Sequence, residues 1–174
     1  MTAVLLKALR TLNGGLEFLT VSMATGIVAI MVSALCGSAL TRFVSGNGYD
    51  WFIELPPALV PWLVFPILGP LLRRGAHIQV DLLPALISRS ANIYLQFFSY
   101  LTALFASVIF FLAGLEATAL FKRMGQMMEL ELDVPLWWMY LAFPVGFVIL
   151  GLFSLELLLE TARKLASLKK GEAV

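Results

Sequence analysis

FLTVSMATGIVAIMVSALCGSALT, residues Phe18–Thr41, is the stretch of sequence that decides the fold, because it contains no charged side chain. A transmembrane helix needs about 20 mainly apolar residues to cover the hydrocarbon core of a bilayer. Three more uncharged stretches follow it, at Leu55–Leu72, Ser90–Leu115 and Val134–Leu155. Four such stretches leave little chain for anything else, so the sequence predicts a small polytopic membrane protein.

The predicted fold class is an all-α membrane protein, with residues 1–174 forming a single membrane domain. The four predicted transmembrane helices span about 16–41, 52–72, 90–120 and 134–160. Composition agrees, since 13% of the residues are charged, whereas soluble domains are typically about 25% charged. The net charge of +1 predicts no nucleic-acid partner, because phosphate binding needs a clustered basic face.

The basic residues predict the orientation of the chain. If both termini lie on one side, that side carries Lys7, Arg10, Arg73, Arg74, Arg89, Arg163, Lys164, Lys169 and Lys170. The other side then carries only Arg42, Lys122 and Arg123. Basic residues in short loops mark the cytoplasmic side of a membrane protein. We therefore expect an N-in/C-in topology with a cytoplasmic central loop.

Helix-breaking residues modify this plan in two places. The segment Asn13-Gly14-Gly15 is expected to end a short amphipathic lead-in helix, 1–12, that lies on the membrane surface. Pro61, Pro66 and Pro70 are expected to kink the second span, because proline removes a backbone donor and clashes with the preceding turn. Two interpretations of that span remain open: an irregular packed helix, or a hinge or broken helix that lines a substrate path.

The fourth span is expected to continue past the membrane as a solvated helical extension that carries Glu156, Glu160 and Lys164. Residues four apart on a helix are neighbours, so Glu160 and Lys164 are placed to pair, whereas Glu156 and Glu160 repel.

The central loop has the most distinctive chemistry of the chain. It reads Arg73-Arg74-Gly75-Ala76-His77-Ile78-Gln79-Val80-Asp81, and apolar residues after it predict a short interfacial amphipathic helix at about 79–88. Three roles remain open for Arg73, Arg74, His77 and Asp81. The arginines would snorkel to lipid phosphates, Asp81 would pair with them and with His77 to anchor the loop, or His77 would relay protons.

Metal and cofactor sites are not expected. The chain has one histidine, His77, and one cysteine, Cys36. One histidine does not provide both axial ligands of a typical membrane haem, and a zinc site needs further nitrogen or sulfur donors. We therefore expect no cofactor, no metal and no enzyme activity.

The loop sequence resembles a family signature. Arg73-x-x-x-His77-Ile78-x-Val80-Asp81 is similar to the pattern of the small membrane subunit, DctQ-type, of tripartite ATP-independent periplasmic (TRAP) transporters. Further similar pieces are Arg42-Phe43-Val44, Trp51 with Glu54, Gly125-Gln126, Val134-Pro135-Leu136-Trp137 and Tyr140-Leu141-Ala142-Phe143-Pro144-Val145-Gly146, so the resemblance covers most of residues 16–160. The chain departs from the family at Glu54-Leu55, where many members have paired acids.

This resemblance implies a non-catalytic subunit in a bacterial inner (cytoplasmic) membrane. Its implied partners are a large membrane (M-type) subunit, which carries substrate and sodium, and a periplasmic substrate-binding protein, which docks transiently; membrane lipids surround it. The transporter would be a sodium symporter for organic acids. Acidic residues of the outer loops, Glu54, Glu129, Glu131 and Asp133, are candidates for docking the binding protein.

Residues from the spans themselves are expected to pack on the large subunit. Close helix approach in lipid favours small residues, and the candidates are Gly26, Ala29, Ser33, Gly37, Gly114, Gly146 and Gly151.

Two alternative functions belong to different classes. A self-sufficient small homo-oligomeric transporter or channel would use Glu17 or Glu116 as its coupling carboxylate, and a membrane enzyme or electron-transfer anchor would bind haem or quinone.

Overall fold

The computed structural model describes residues 2–75, 89–128 and 134–171, and this part of the chain is helical without a strand. Its helices are α1 Thr2–Ser45, α2 Trp51–Val64, α3 Leu68–Arg73, α4 Arg89–Met124 and α5 Leu136–Gly171. Three of them, α1, α4 and α5, are long and apolar enough to cross a membrane. The predicted all-helical class is confirmed for the described residues, and the predicted interfacial helix, 79–88, lies outside them.

The first helix contradicts the prediction of a break at Asn13-Gly14-Gly15, because α1 runs through these residues without interruption. Asn13 is fully buried, and its side-chain amide donates hydrogen bonds to the carbonyl oxygen of Leu152 at 3.2 Å and to Glu156 Oε2 at 2.6 Å. Glycine inside a helix costs roughly 0.5–1 kcal/mol relative to alanine. Contacts with α5 outweigh that local preference, so lead-in and first span form one helix.

The second apolar stretch is interrupted at Pro66, one of the prolines predicted to kink it. α2 ends at Val64, residues 65–67 form a turn, and α3 then begins at Leu68. Pro66 has no N–H and its ring clashes with the carbonyl four residues earlier, which favours a break at this point. The turn packs closely on α5, since a Cβ built on Gly146 would lie 2.5 Å from the Phe65 carbonyl group.

Helix α5 forms the centre of the molecule, because α1, α2, α3 and α4 all contact it. Its buried face includes Ala142, Phe153 and Ser154, each 0% exposed. Phe143 packs on Phe65 of the turn, with ring centroids 3.9 Å apart. The helices α1 and α4 flank this centre and leave most of their outer faces exposed.

Four glycines expected to contact a large subunit pack inside the chain instead. Gly114 lies against Pro144, Gly146 against Phe65 and Gly151 against Ser107. Gly37 of α1 lies against the ring of Phe52 in α2. The prediction was wrong for these glycines because close helix approach within the chain uses small residues in the same way as an interface does.

Candidate functional site

Charged side chains from three helices meet at one end of the molecule. They come from the N-terminal part of α1, the end of α3 and the C-terminal half of α5. We call this set the Glu156 cluster; it consists of Arg10, Asn13, Glu17, Arg73, Arg74, Glu156 and Glu160. Its three carboxylates and three guanidinium groups balance in charge.

Glu156 lies at the centre of the cluster, with a side chain that is 1% exposed. Its Oε2 accepts the hydrogen bond from Asn13, and its Oε1 lies 3.5 Å from a guanidinium nitrogen of Arg73 and 4.0 Å from Arg10 Nε. A buried charge is tolerated only when it is paired and hydrogen-bonded. Contacts from α1 and α3 thus keep a carboxylate inside the helix packing.

A second carboxylate, Glu17 of α1, pairs with both arginines at the end of α3. Glu17 Oε2 lies 3.3 Å from Arg73, and Glu17 Oε1 lies 2.8 Å from Arg74. Arg73 therefore bridges Glu17 and Glu156, which belong to different helices. Ionised hydrogen-bonding pairs are the stronger kind, so this bridge links α1, α3 and α5.

The outer rim of the cluster is the pair formed by Arg10 and Glu160. Arg10 donates to Glu160 Oε1 at 2.6 Å, and the arginine side chain is 58% exposed. Exposed ion pairs contribute little to stability, because water and salt screen them. This pair still directs Arg10 towards α5, and it shows that Glu160 pairs with another helix.

One polar atom of the cluster accepts no hydrogen bond from the part of the chain that the structure describes. This atom is Asn13 Oδ1, which is buried. Beside the cluster, an open groove of about 560 Å³ follows the exposed face of α1, and Gly14, Phe18 and Ser22 contribute to its lining. The described residues, 2–75, 89–128 and 134–171, do not form a metal site. Within them, no group of three or more His, Cys, Asp or Glu side chains is close enough together to bind a metal ion.

The cluster changes the roles predicted for the central loop. Arg73 and Arg74 do form ion pairs, but with Glu17 and Glu156 of neighbouring helices. Their expected partners, His77 and Asp81, lie outside the described residues. The prediction of a solvated extension was wrong for Glu156, because the side chain turns towards α1 and α3 and is almost fully buried.

A sequence signal for these partners exists at the borders of the uncharged stretches. Glu17 immediately precedes the first uncharged stretch, Arg73 follows the second, and Glu156 follows the fourth. Residues that border apolar spans lie at the same depth when the spans pack side by side. Charges of opposite sign at matching ends therefore predict pairing.

The residues predicted to dock a binding protein are described only in part. Glu54 lies in the first turn of α2 and is half-buried. Glu129, Glu131 and Asp133 lie outside the described residues. Close to Glu54, the end of α1 meets the start of α2 through Gly37 and Phe52, which places Glu54 at the opposite end of α1 from the Glu156 cluster.

Comparison with known families adds the identity of the chain to this geometry. The family model described as tripartite ATP-independent periplasmic transporters, DctQ component, matches residues 19–164. The matched range includes Arg73, Arg74, Glu156 and Glu160, and thus most of the Glu156 cluster. A search of curated protein sequences gives no match. Because the family model covers most of the chain, this membrane protein belongs to the DctQ component family of the tripartite ATP-independent periplasmic transporters.

Proposed function

We propose that this chain is the non-catalytic scaffold subunit of a sodium-coupled, binding-protein-dependent secondary transporter for organic acids. In this role it packs on a large membrane subunit that holds the solute and sodium sites. Membership of a transporter component family supports the class. The solute, the coupling ion and the binding protein then act through the partner subunits.

One observation carries the proposal: the four uncharged stretches contain no Asp, Glu, Lys, Arg or His side chain. Carriers that bind an anion or couple an ion generally have polar groups and broken helices near the middle of the membrane. Here the charges of the Glu156 cluster lie beyond the ends of the uncharged stretches, where they pair with one another. The broken second span has an apolar turn, Phe65–Ile67, that packs on α5.

The proposed topology has four crossings, with α2 and α3 together forming the second, and both termini in the cytoplasm of a bacterium. The Glu156 cluster supports it, because the start of α1, the end of α3 and the far half of α5 meet at one end. At the other end, Gly37 of α1 contacts Phe52 of α2. The excess of basic residues at the cluster end supports a cytoplasmic location for that end, and the proposed membrane is the bacterial inner membrane.

The proposed face for the large subunit is the outer side of α1. Gly26, Ala29 and Ser33 are exposed there, and no atom of the described chain lies within 4 Å of a Cβ built on Gly26. Small residues allow a partner helix to approach closely in lipid. On α4, bulky side chains such as Phe98 and Phe105 are exposed, and we propose that they contact lipid tails.

We further propose that acidic outer residues form a docking surface for the binding protein. These residues are Glu54, Glu129, Glu131 and Asp133. Electrostatic complementarity across a transient interface raises the association rate, and salt screens this effect. Docking would thus weaken as the ionic strength rises. Substitution of these four acids by their amides should slow solute uptake at low salt more than at high salt.

The proposal is tested by uptake of labelled organic acids into liposomes under a sodium gradient. We expect no uptake with this chain alone, and sodium-dependent uptake when the large subunit and the binding protein are added. Uptake by the purified chain alone would refute the scaffold role and favour the homo-oligomeric alternative. In that case Glu116→Gln, a change on the exposed face of α4, should abolish uptake while assembly persists.

A further inference from the structure

Glu156 is the one charged residue among the buried residues that the structure describes. Removing a carboxylate from water costs several kcal/mol, and only close partners offset this cost. The nearest guanidinium nitrogen on α3 belongs to Arg73, 3.5 Å away, and α1 contributes Asn13 at 2.6 Å. Glu156 thus connects two helices to α5 through polar contacts that an apolar residue would not form.

The helix that ends at Arg73 cannot stabilise itself. α3 has six residues, whereas isolated helices shorter than about 12–15 residues are marginal in water. It is preceded by the proline turn and followed by Gly75, whose φ of +63° ends the helix. Near its start, Gly69 packs on Phe153 and Ile149 of α5. Its C-terminal end needs a second attachment.

Arg73 provides that attachment because it lies between two carboxylates. Glu17 is shared with Arg74, which lies 2.8 Å from Glu17 Oε1, whereas Glu156 has no arginine closer than Arg73. Arg10 is closer to Glu160, at 2.6 Å, than to Glu156, at 4.0 Å. Glu156 therefore depends on Arg73 for its nearest guanidinium group, whereas Arg73 divides its contacts between Glu17, at 3.3 Å, and Glu156, at 3.5 Å.

We propose that Glu156 is a positioning residue whose charge, acting through Arg73, fixes the C-terminal end of α3 between α1 and α5. The buried carboxylate determines the position of Arg73 and Arg74 at the end of α3, and the hydrogen bond from Asn13 holds the carboxylate in place. This role is intrinsic to the chain. It goes beyond the scaffold function and does not depend on which partner the scaffold carries.

Hydrogen exchange measured by mass spectrometry on the full-length chain in lipid nanodiscs tests the proposal. The reporters are backbone amides at the end of α3: Leu71 donates to Ile67, Arg74 to Pro70 and Gly75 to Leu72. Glu156→Gln keeps the shape and the contact with Asn13 but removes the charge. We expect exchange at these amides to become about tenfold faster, with α4 unchanged.

Glu160→Gln is the matched control, because it removes the same charge one helical turn further along α5. Its partner, Arg10, is exposed, so exchange at the end of α3 should change less than about twofold. Unchanged exchange in Glu156→Gln, or equal acceleration in α4 and α3, would overturn the proposal. Equal acceleration would show general destabilisation rather than release of one helix end.

A double substitution separates a charge contact from simple packing. Arg73→Met releases the end of α3, and adding Glu156→Gln should then accelerate exchange no further, because the two residues act through one contact. Exchange that accelerates independently in the two single variants and multiplies in the double variant would contradict the proposal. Should Glu156→Gln alone fail to fold, the double variant must still fold, since it buries no unpaired charge; its failure would also count against the proposal.

Discussion

A Cβ built on Gly146 lies 2.5 Å from the carbonyl group of Phe65. The break in the second span therefore sits directly on the backbone of α5, at a point where any side chain would collide with main-chain atoms. Phe143 and Phe147 extend the same contact, with ring centroids 3.9 Å and 5.9 Å from that of Phe65. The turn between α2 and α3 is therefore packed against the central helix.

The first prediction concerns this contact. Gly146→Ala should lower the stability of the purified chain by about 1–3 kcal/mol, because overpacking against a rigid backbone forces the turn away from α5. Thermal unfolding in detergent measures this effect. Gly26→Ala is the matched control: its Cβ meets open space, so the chain alone should be unchanged or slightly more stable. A neutral Gly146→Ala would show that the turn moves freely.

The second prediction concerns Asn13. Asn13→Ala removes the donor to Leu152 and Glu156 and should destabilise the chain by about 1–3 kcal/mol, because buried polar groups lose their partner. Asn13→Asp should be worse, since it places a second carboxylate within hydrogen-bonding distance of Glu156. Thr25→Val removes an exposed hydroxyl from the same helix and serves as control. Equal unfolding temperatures for Asn13→Asp and wild type would contradict the arrangement.

The third prediction compares the two adjacent arginines of α3. Arg73→Met should cost about 2 kcal/mol, because it leaves buried Glu156 without its nearest guanidinium group. Arg74→Met should cost at most about 1 kcal/mol, since that side chain is 58% exposed and its ion pair within the described residues is with Glu17. Unfolding in denaturant at two salt concentrations measures both losses, and salt should weaken the contribution of Arg74 more. A larger loss of stability for Arg74→Met than for Arg73→Met would contradict the assignment of Arg73 as the partner of Glu156.

The fourth prediction concerns the opposite end of the bundle. The indole N–H of Trp62 donates to the carbonyl oxygen of Trp138 at 3.2 Å. Trp62→Phe keeps an aromatic ring but removes the donor, so it should cost about 1 kcal/mol. Trp51→Phe is the control, since Trp51 stacks on Phe52 and phenylalanine preserves that stacking. Identical thermal stabilities of the two variants would show that the hydrogen bond contributes nothing.

The fifth prediction tests the proposed face for the large subunit with one substitution at two sites. Ala29 of α1 and Ala113 of α4 are both exposed, so leucine at either position should leave the stability of the isolated chain unchanged. Ala29→Leu should reduce co-purification with the large subunit about tenfold or more, because a bulky side chain prevents close helix approach. Ala113→Leu should co-purify normally. Normal co-purification of Ala29→Leu together with reduced co-purification of Ala113→Leu would show that the interface lies on α4 rather than on α1.

The sequence by itself determined that the described chain is helical and that its charges lie at the ends of apolar stretches. It also determined the family, through the segment from Arg73 to Asp81 and its flanking pieces. These properties are local: the length of an uncharged stretch and the order of residues along one segment need no knowledge of neighbours in space.

Only the tertiary structure decided which residues meet. Glu156 belongs to a segment that reads as a solvated extension, yet its side chain is buried because the axis of α5 brings it between Asn13 and Arg73. Likewise, Gly146 reads as an outward packing position, whereas the turn at Phe65 occupies the space beside it. Pairing depends on how the helices are rotated and placed against one another. The hydropathy pattern along the chain specifies neither the rotation nor the placement.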